Sequence, residues 1–521
     1  MSFSAKLKKR REKFKQTSKN EQSIQSREKL TYQISKKNKE NKLKAKRRYK
    51  DQLTEFQKLE LDQLDRSEIR EKIIAYSNTL KQNRTGKILE IVRDLKNYTC
   101  ITNDPPLDII VNSSLVPSLV RLLEYEFDFK VQLNVAVCLS NISSTNTYNI
   151  NCLYSDGCIE GFLKLLLNNE NPELLNIAIL TLGNFAHESV EYRDKIVEYE
   201  VIPHLSEIFE RINNVQVRKT ILRAISHMVK YRSKPPFVQL EPFFLYCFKI
   251  IDMKLQEFLK KQKTQQGDFT IESLWTLSYL SSGSSSHRDF IIQNDILSSI
   301  VKLLEYGITG AHVPSLRILS NISSGSEEQV QAVIESGVLK LIKLYLGNVK
   351  SKLRFESCWL LSNICSGTAQ QIRSVFDPNI ISLLISILKN DSQDICLQAS
   401  YVVYNIICLK NPDQIEFFKT KGLFKALCDC LNIDNADLLY NTLGIIEIVL
   451  QIESETETEL KDNNSLAYIK IFERYGVIEL IEKLIDYPNE RISSSATFLI
   501  DNYFYKENTK EIENDIELDF D

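Results

Sequence analysis

The segments ILSNISSG (318–325) and LLSNICSG (360–367) are one phrase written twice, 42 residues apart. Each reads as the end of an apolar helix followed by a small polar turn. Looser copies occur at VCLSNISS (137–144), TLGNFAHE (181–188), TLSYLSSG (276–283) and VVYNIICL (402–409). Aligning them on the asparagine gives seven slots: Asn141, Asn184, His227, Tyr279, Asn321, Asn363 and Asn405. The spacings are 43, 43, 52, 42, 42 and 42 residues. A fixed period of this length predicts two- or three-helix repeats that bury their apolar faces only by stacking. The 52-residue interval predicts an insertion of about ten residues, placed near LKKQKTQQGD (259–268).

Composition agrees with an all-α array. The chain has 521 residues, too many for one ordinary core, and is 43% hydrophobic. Its 15 Gly and 12 Pro are too few for the turns of a β-sandwich or propeller of this length. The 11 cysteines form no CxxC pair, and several fall within apolar helical patterns, so buried free thiols are expected. No apolar run has membrane-spanning length and no apolar segment follows the basic start, so a soluble intracellular protein is expected.

Three zones are predicted. Residues 1–65 form a basic arm, 66–505 the repeat array of about ten units, and 506–521 an acidic tail, KENTKEIENDIELDFD. Residues 1–50 hold 14 Lys and 5 Arg against 4 Glu, a net of +15; since the whole chain carries −2, the remainder carries −17. A basic arm on an acidic body can reach nucleic acid, a membrane surface, an acidic partner or the body itself.

Helical spacing places the residue four before each slot on the same face, which gives Val137, Leu180, Arg223, Trp275, Arg317, Trp359 and Tyr401. A column of amides offers donor and acceptor together and suits the backbone of an extended peptide. Aromatic neighbours supply walls for aliphatic Lys or Arg stems, and carboxylates such as Glu188, Glu327 and Glu356 would take the charged tips. A plainer reading uses the same residues: an Asn near a helix C-terminus caps it, and a Trp belongs to the core.

The stretch VPSLRILSNISSGSEEQVQAVIESG (313–337), followed by ESCWLLSNICSG (356–367), resembles the importin-α (karyopherin-α) family. SLWTLSYLSSG (273–283), PPLDIIVNSSLVPSLVRLL (105–123) and ERYGVIELIEKLIDYPNE (473–490) extend the resemblance. It implies an all-α, armadillo-repeat, right-handed superhelical solenoid and a nuclear import adaptor that shuttles between cytoplasm and nucleus. The arm is similar to the family's importin-β-binding segment at RREKFK (10–15), SREK (26–29), SKKNKENK (35–42) and KRR (46–48). By resemblance Arg10, Arg11, Phe14, Lys15, Arg27, Lys36 and Lys37 would serve importin-β, and Lys46, Arg47 and Arg48 would fold back as an internal cargo mimic. The resemblance further implies two sites for basic nuclear localisation signals. The minor one comprises Arg317, Asn321, Ser324, Glu327, Glu356, Trp359, Ser362, Asn363, Tyr401 and Asn405. The major one is degenerate: Asn141, Asn184 and Glu188 remain, but Val137, Leu180 and Arg223 replace the family's Trp walls. Gln398 lacks the carboxylate usual at its place. The repeats from about 435 onward resemble the region presented to a nuclear exporter; a solubilising acidic end is the alternative.

No enzymatic motif appears. The five His, at 187, 204, 227, 287 and 312, form no HExxH; Arg84-Thr85-Gly86-Lys87 lacks the upstream glycine of a phosphate loop. No cofactor, metal, membrane contact or direct nucleic-acid contact is expected. A non-transport armadillo scaffold is the alternative function.

Overall fold

A computed structural model describes residues 65–81, 87–101, 105–124, 128–260, 268–460 and 467–504. The basic arm, with Arg10, Arg11, Phe14, Lys15, Arg27, Lys36, Lys37 and the Lys46-Arg47-Arg48 cluster, lies outside the described residues, as does the acidic tail. The chain divides into two compact units, one ending at His287 and the other beginning at Arg288. Among the described residues every regular element is helical.

The first unit opens with α1 (Arg66–Lys81) and α2 (Ile88–Thr99) and continues in triplets. These are α3 (Leu107–Asn112), α4 (Val116–Arg121) and α5 (Phe129–Ser143); α6 (Thr147–Ser155), α7 (Cys158–Leu167) and α8 (Pro172–Glu188); α9 (Val190–Glu198), α10 (Val201–Arg211) and α11 (Val215–Met228). The third helices α5, α8 and α11 pack on one another in succession. Asp128, Asn171 and Asn214 cap their N-termini, each accepting a backbone N–H through its side chain. Gly183 permits the close approach of α8 to α11: a Cβ there would lie 3.2 Å from Ala224 Cα.

The repeat with the predicted insertion departs from the triplet. A single 24-residue helix, α12 (Phe237–Lys260), stands where the others have two, and α13 (Thr270–Leu280) follows. At 24 residues α12 is close in length to the span Val190–Arg211 of the preceding repeat, so most of the extra length falls in the connections on either side of it; residues 261–267 of the predicted insertion lie outside the described residues. Arg193, 2% exposed, ties down the connection before α12 by donating to Met228 O (3.0 Å) and Ser233 O (2.7 Å).

Helix α14 (Ser285–Gln293) carries the division between units. The second unit continues with α15 (Ile296–Glu305) and α16 (His312–Ser323), then α17 (Glu327–Glu335), α18 (Leu339–Leu346) and α19 (Ser351–Cys365). Next come α20 (Ala369–Val375), α21 (Pro378–Asn390) and α22 (Gln393–Ile407), and α23 (Pro412–Thr420), α24 (Leu423–Cys430) and α25 (Ala436–Leu460). The last are α26 (Ala467–Arg474), α27 (Val477–Glu482) and α28 (Glu490–Leu499), which runs into a π-turn at Ile500–Phe504. Third helices α16, α19, α22, α25 and α28 again pack in sequence.

In most repeats the turn between first and second helices holds one residue in the left-handed region: Ser114 (φ +58°), Gly157 (+78°) and Glu200 (+52°) in the first unit, and Asp295 (+55°), Gly337 (+86°), Gly422 (+81°) and Gly476 (+69°) in the second; the α20–α21 turn has none. Glycine adopts this conformation at little cost, whereas Glu and Asp are strained there. All eleven cysteines are free; ten are buried and Cys152 is half-buried. Burial pushes the Cys247, Cys428 and Cys430 thiols up to about 12.

Candidate functional site: a slot ladder on the third helices

The asparagine slots lie near the C-terminal ends of third helices, and the amides of Asn141, Asn184 and Asn363 reach the preceding repeat. Asn141 Nδ2 donates to Thr99 Oγ1 (2.9 Å) and Asn184 Nδ2 to Ser143 Oγ (3.1 Å). His227 takes the same place, its Nδ1 2.9 Å from Gly183 O, which fixes the proton on that nitrogen. In the second unit Asn363 Nδ2 donates to Ser320 O (2.8 Å). These three amides are thus staples between neighbouring repeats, and most of the slots are nearly buried: Asn184 is 8% exposed, Asn321 and Asn405 5%, and Asn363 1%. Asn405 differs from Asn363. Its Nδ2 is buried and has no hydrogen-bond partner among the described residues. An orphaned buried donor costs on the order of 1–3 kcal/mol.

One further slot escaped the 42-residue count. Asn441 Nδ2 donates to Ser400 Oγ (2.8 Å) as its predecessors do. It lies 36 residues beyond Asn405, and the signal that finds it is LLYN (438–441) against VVYN (402–405).

Several polar residues expected at an open rim are placed elsewhere. Glu356 is 1% exposed and accepts from Arg317 Nε (3.0 Å) and Nη2 (2.6 Å); Arg317 is itself buried. Ser362 is buried, its hydroxyl donating to Trp359 O (2.9 Å). Glu356 and Ser362 are therefore not rim residues: both sit near the helix-to-helix seam, where small and paired side chains allow close packing. Ser324 is half-buried and donates to Asn321 O (2.7 Å), closing the helix end. Glu327 is exposed at the start of α17. Trp359 is 6% exposed and stacks on Phe355 at 6.2 Å. Tyr401 is half-buried; burial first, then the Asp437 charge, push its phenol well above the ordinary range.

Val137, Leu180 and Arg223 stand four before the first three slots, with no aromatic residue among them. Val137 is 2% exposed and belongs to the core. Glu188 accepts from Thr147 Oγ1 (2.7 Å). The His227 slot is crowded by basic side chains: the His187 and His227 rings lie 4.7 Å apart, and Lys230 Nζ is 3.2 Å from His187 Nδ1. A cavity of about 320 Å³ lies apart from the slots, between α10, α12 and the start of α13, lined by Phe209, Tyr246, Lys254 and Phe269 among others.

The profile of the Armadillo/beta-catenin-like repeat matches residues 103–144 and 326–366. Importin subunit alpha-1b of Oryza sativa subsp. japonica is 25% identical over 230 residues, 44% of this chain and 41% of that protein. Importin subunit alpha-5 of Arabidopsis thaliana is 28% identical over 416 residues, 80% of this chain and 77% of that protein. The chain is a divergent importin-α-like armadillo-repeat protein. In the first relatives the match spans less than half of the relative's length, as with Importin subunit alpha-3 of Arabidopsis thaliana, where it spans 46%. An engineered protein of known crystal structure shares the fold of this importin-α-like chain, with a TM-score of 0.65 at 21% identity, covering 82% of this chain and 98% of its own. No single helix among the described residues is long and apolar enough to cross a membrane.

Proposed function

We propose that this importin-α-like chain is a nuclear import adaptor, not an enzyme. It takes basic nuclear localisation signals along the third helices of the second unit and links that cargo to importin-β through the basic arm. The observation that carries the reading is Asn405. Its amide donor is buried without a partner among the described residues, whereas those of Asn141, Asn184, Asn363 and Asn441 are satisfied by the preceding repeat. A donor left open at that cost suits the carbonyl of an extended peptide backbone. Tyr401, four residues before it, and Trp359, four before Asn363, would serve as walls for cationic stems, and exposed Glu327 offers charge. The importin-α relatives support the same reading. By this proposal the chain shuttles between cytoplasm and nucleus and presents its last repeats to a nuclear exporter. The slots at Asn141, Asn184 and His227 contribute less to cargo, since Val137, Leu180 and Arg223 stand where Trp walls would be.

Fluorescence anisotropy with a labelled Lys/Arg-rich peptide tests the reading. Trp359→Ala together with Asn363→Ala is expected to weaken binding by roughly tenfold or more, the loss of one or more contacts at about 1.4 kcal/mol per decade. Intact binding in that variant, with binding abolished by Asn141→Ala and Asn184→Ala, would overturn it. Retention of importin-β by residues 1–60 on beads tests the arm.

A further inference from the structure

The cavity between α10, α12 and the start of α13 lies wholly within the first unit and takes no part in the ladder of slots. It belongs to the repeat that departs from the triplet. One face of α12, carrying Tyr246, Ile250, Met253, Lys254 and Glu257 at helical spacing, makes one wall. The volume of about 320 Å³ falls at the small end of ligand pockets, which run from roughly 300 to 1,000 Å³.

The charged groups of the wall are not equally spent. Lys254 Nζ is held by Asp268 (2.8 Å) and Glu257 (3.4 Å). Glu210 accepts from the Tyr246 hydroxyl (2.7 Å), which Ser206 Oγ also approaches at 3.1 Å. Arg218 is different. It is half-buried, its Nε donates to Phe209 O (3.1 Å), and its guanidinium carbon lies 5.4 Å from the centre of the Phe209 ring. Its two terminal nitrogens make no hydrogen bond and no ion pair among the described residues. Lys249, exposed where the cavity opens to solvent, has no ion pair among the described residues either. An arginine drawn partly out of water without a carboxylate is uncommon. With Nε spent, the two terminal nitrogens remain as a fork that matches the two oxygens of a carboxylate end-on. The contacts to Phe209 hold that fork in place beforehand, so little side-chain freedom is lost on binding. The rest of the wall is apolar: Phe269 is buried, Ile250 and Met253 are half-buried, and the Phe209 and Tyr246 rings stack at 4.6 Å.

We propose that this cavity binds a small amphipathic carboxylate, gripped end-on by Arg218, with its apolar body on Ile250, Met253 and Phe269. Lys249 adds attraction at the mouth. The same chemistry is carried by a free aliphatic acid and by the C-terminal residue of a polypeptide with an apolar side chain. The inference is independent of the basic-peptide reading, since none of these residues belongs to the slots.

Isothermal titration of the full-length chain with octanoate, and with a short peptide ending in a free leucine carboxylate, tests the site. Saturable binding of either probe is expected, with octan-1-ol and the C-terminal amide of the peptide binding at least tenfold more weakly. Octanoate alone assigns a free acid, the peptide alone a chain terminus, and both together the shared chemistry. Arg218→Lys keeps the charge but loses the fork, and is expected to weaken binding about tenfold. Lys249→Gln is expected to weaken it severalfold. Because Lys249 is exposed, its variant reads the charge even where Arg218→Lys disturbs folding, which thermal unfolding without ligand reports. Octan-1-ol binding as tightly as octanoate, affinity unchanged in both variants, or no binding of either carboxylate overturns the proposal.

Discussion

The guanidinium of Arg317 grips Glu356 across the seam between α16 and α19, through Nε at 3.0 Å and Nη2 at 2.6 Å, with both side chains almost wholly out of water. Such a pair gains little over apolar packing, but leaving one partner alone strands a buried charge. Arg317→Met or Glu356→Gln is expected to cost about 3–5 kcal/mol in urea unfolding followed by circular dichroism. The double variant Arg317→Met/Glu356→Leu is expected to recover most of that loss.

A second cross-repeat pair sets an acid limit. Burial by itself would raise the Asp391 carboxyl, but hydrogen bonds from Arg354 (Nε 2.5 Å, Nη2 3.0 Å) and from Ser392 N–H outweigh it and hold the group below the usual range. A depressed folded-state pKa adds stability that is complete above the unfolded value, near 3.9, and is lost as pH falls through the folded value. Thermal unfolding between pH 6 and 2 checks this: Asp391→Asn is expected to lower the midpoint at pH 6 and to flatten its decline in acid.

Asp295 and Gly337 occupy equivalent turns in the second unit, both left-handed. Nothing lies within 4 Å of a Cβ placed at Gly337, so Gly337→Ala would test backbone strain alone. It is expected to cost on the order of 1 kcal/mol, and Asp295→Gly to return a similar amount. Chemical unfolding of both variants gives the comparison.

Asn363 and Asn405 look alike in sequence and differ in their bonding. Asn363→Ala removes a buried bond to Ser320 O and is expected to lower stability by about 1–2 kcal/mol. Asn405→Ala removes a donor that has no partner among the described residues, so relief of that cost offsets the lost packing and the variant is expected to be neutral to stabilising in unfolding. On the adaptor reading Asn405→Ala nevertheless weakens basic-peptide binding, so stability and affinity separate at this residue.

Much of the candidate site was legible because helical repeats write their geometry into spacing. The residue four before a slot shares its face, so Trp359 and Arg317 were found without coordinates. The fate of polar side chains was not legible in the same way. Nothing in the string Glu356-Ser357-Cys358-Trp359 tells that the carboxylate turns into the seam, because its partner Arg317 is 39 residues away. Asn441 was missed because a strict period fails where a repeat is shorter by several residues.

Sequence by itself determined the all-helical class, the 42-residue period and the third-helix slots, since these follow from local propensity and from which faces are apolar. Tertiary structure alone decided which amides are spent and which are open. Hydrogen bonding in the ladder depends on the residue one repeat earlier: Thr99, Ser143, Ser320 and Ser400 lie on neighbouring helices brought within about 3 Å by packing. The same holds for Arg223, whose charge reads as a lost wall in the sequence and becomes, beside Glu272, one half of an open ion pair.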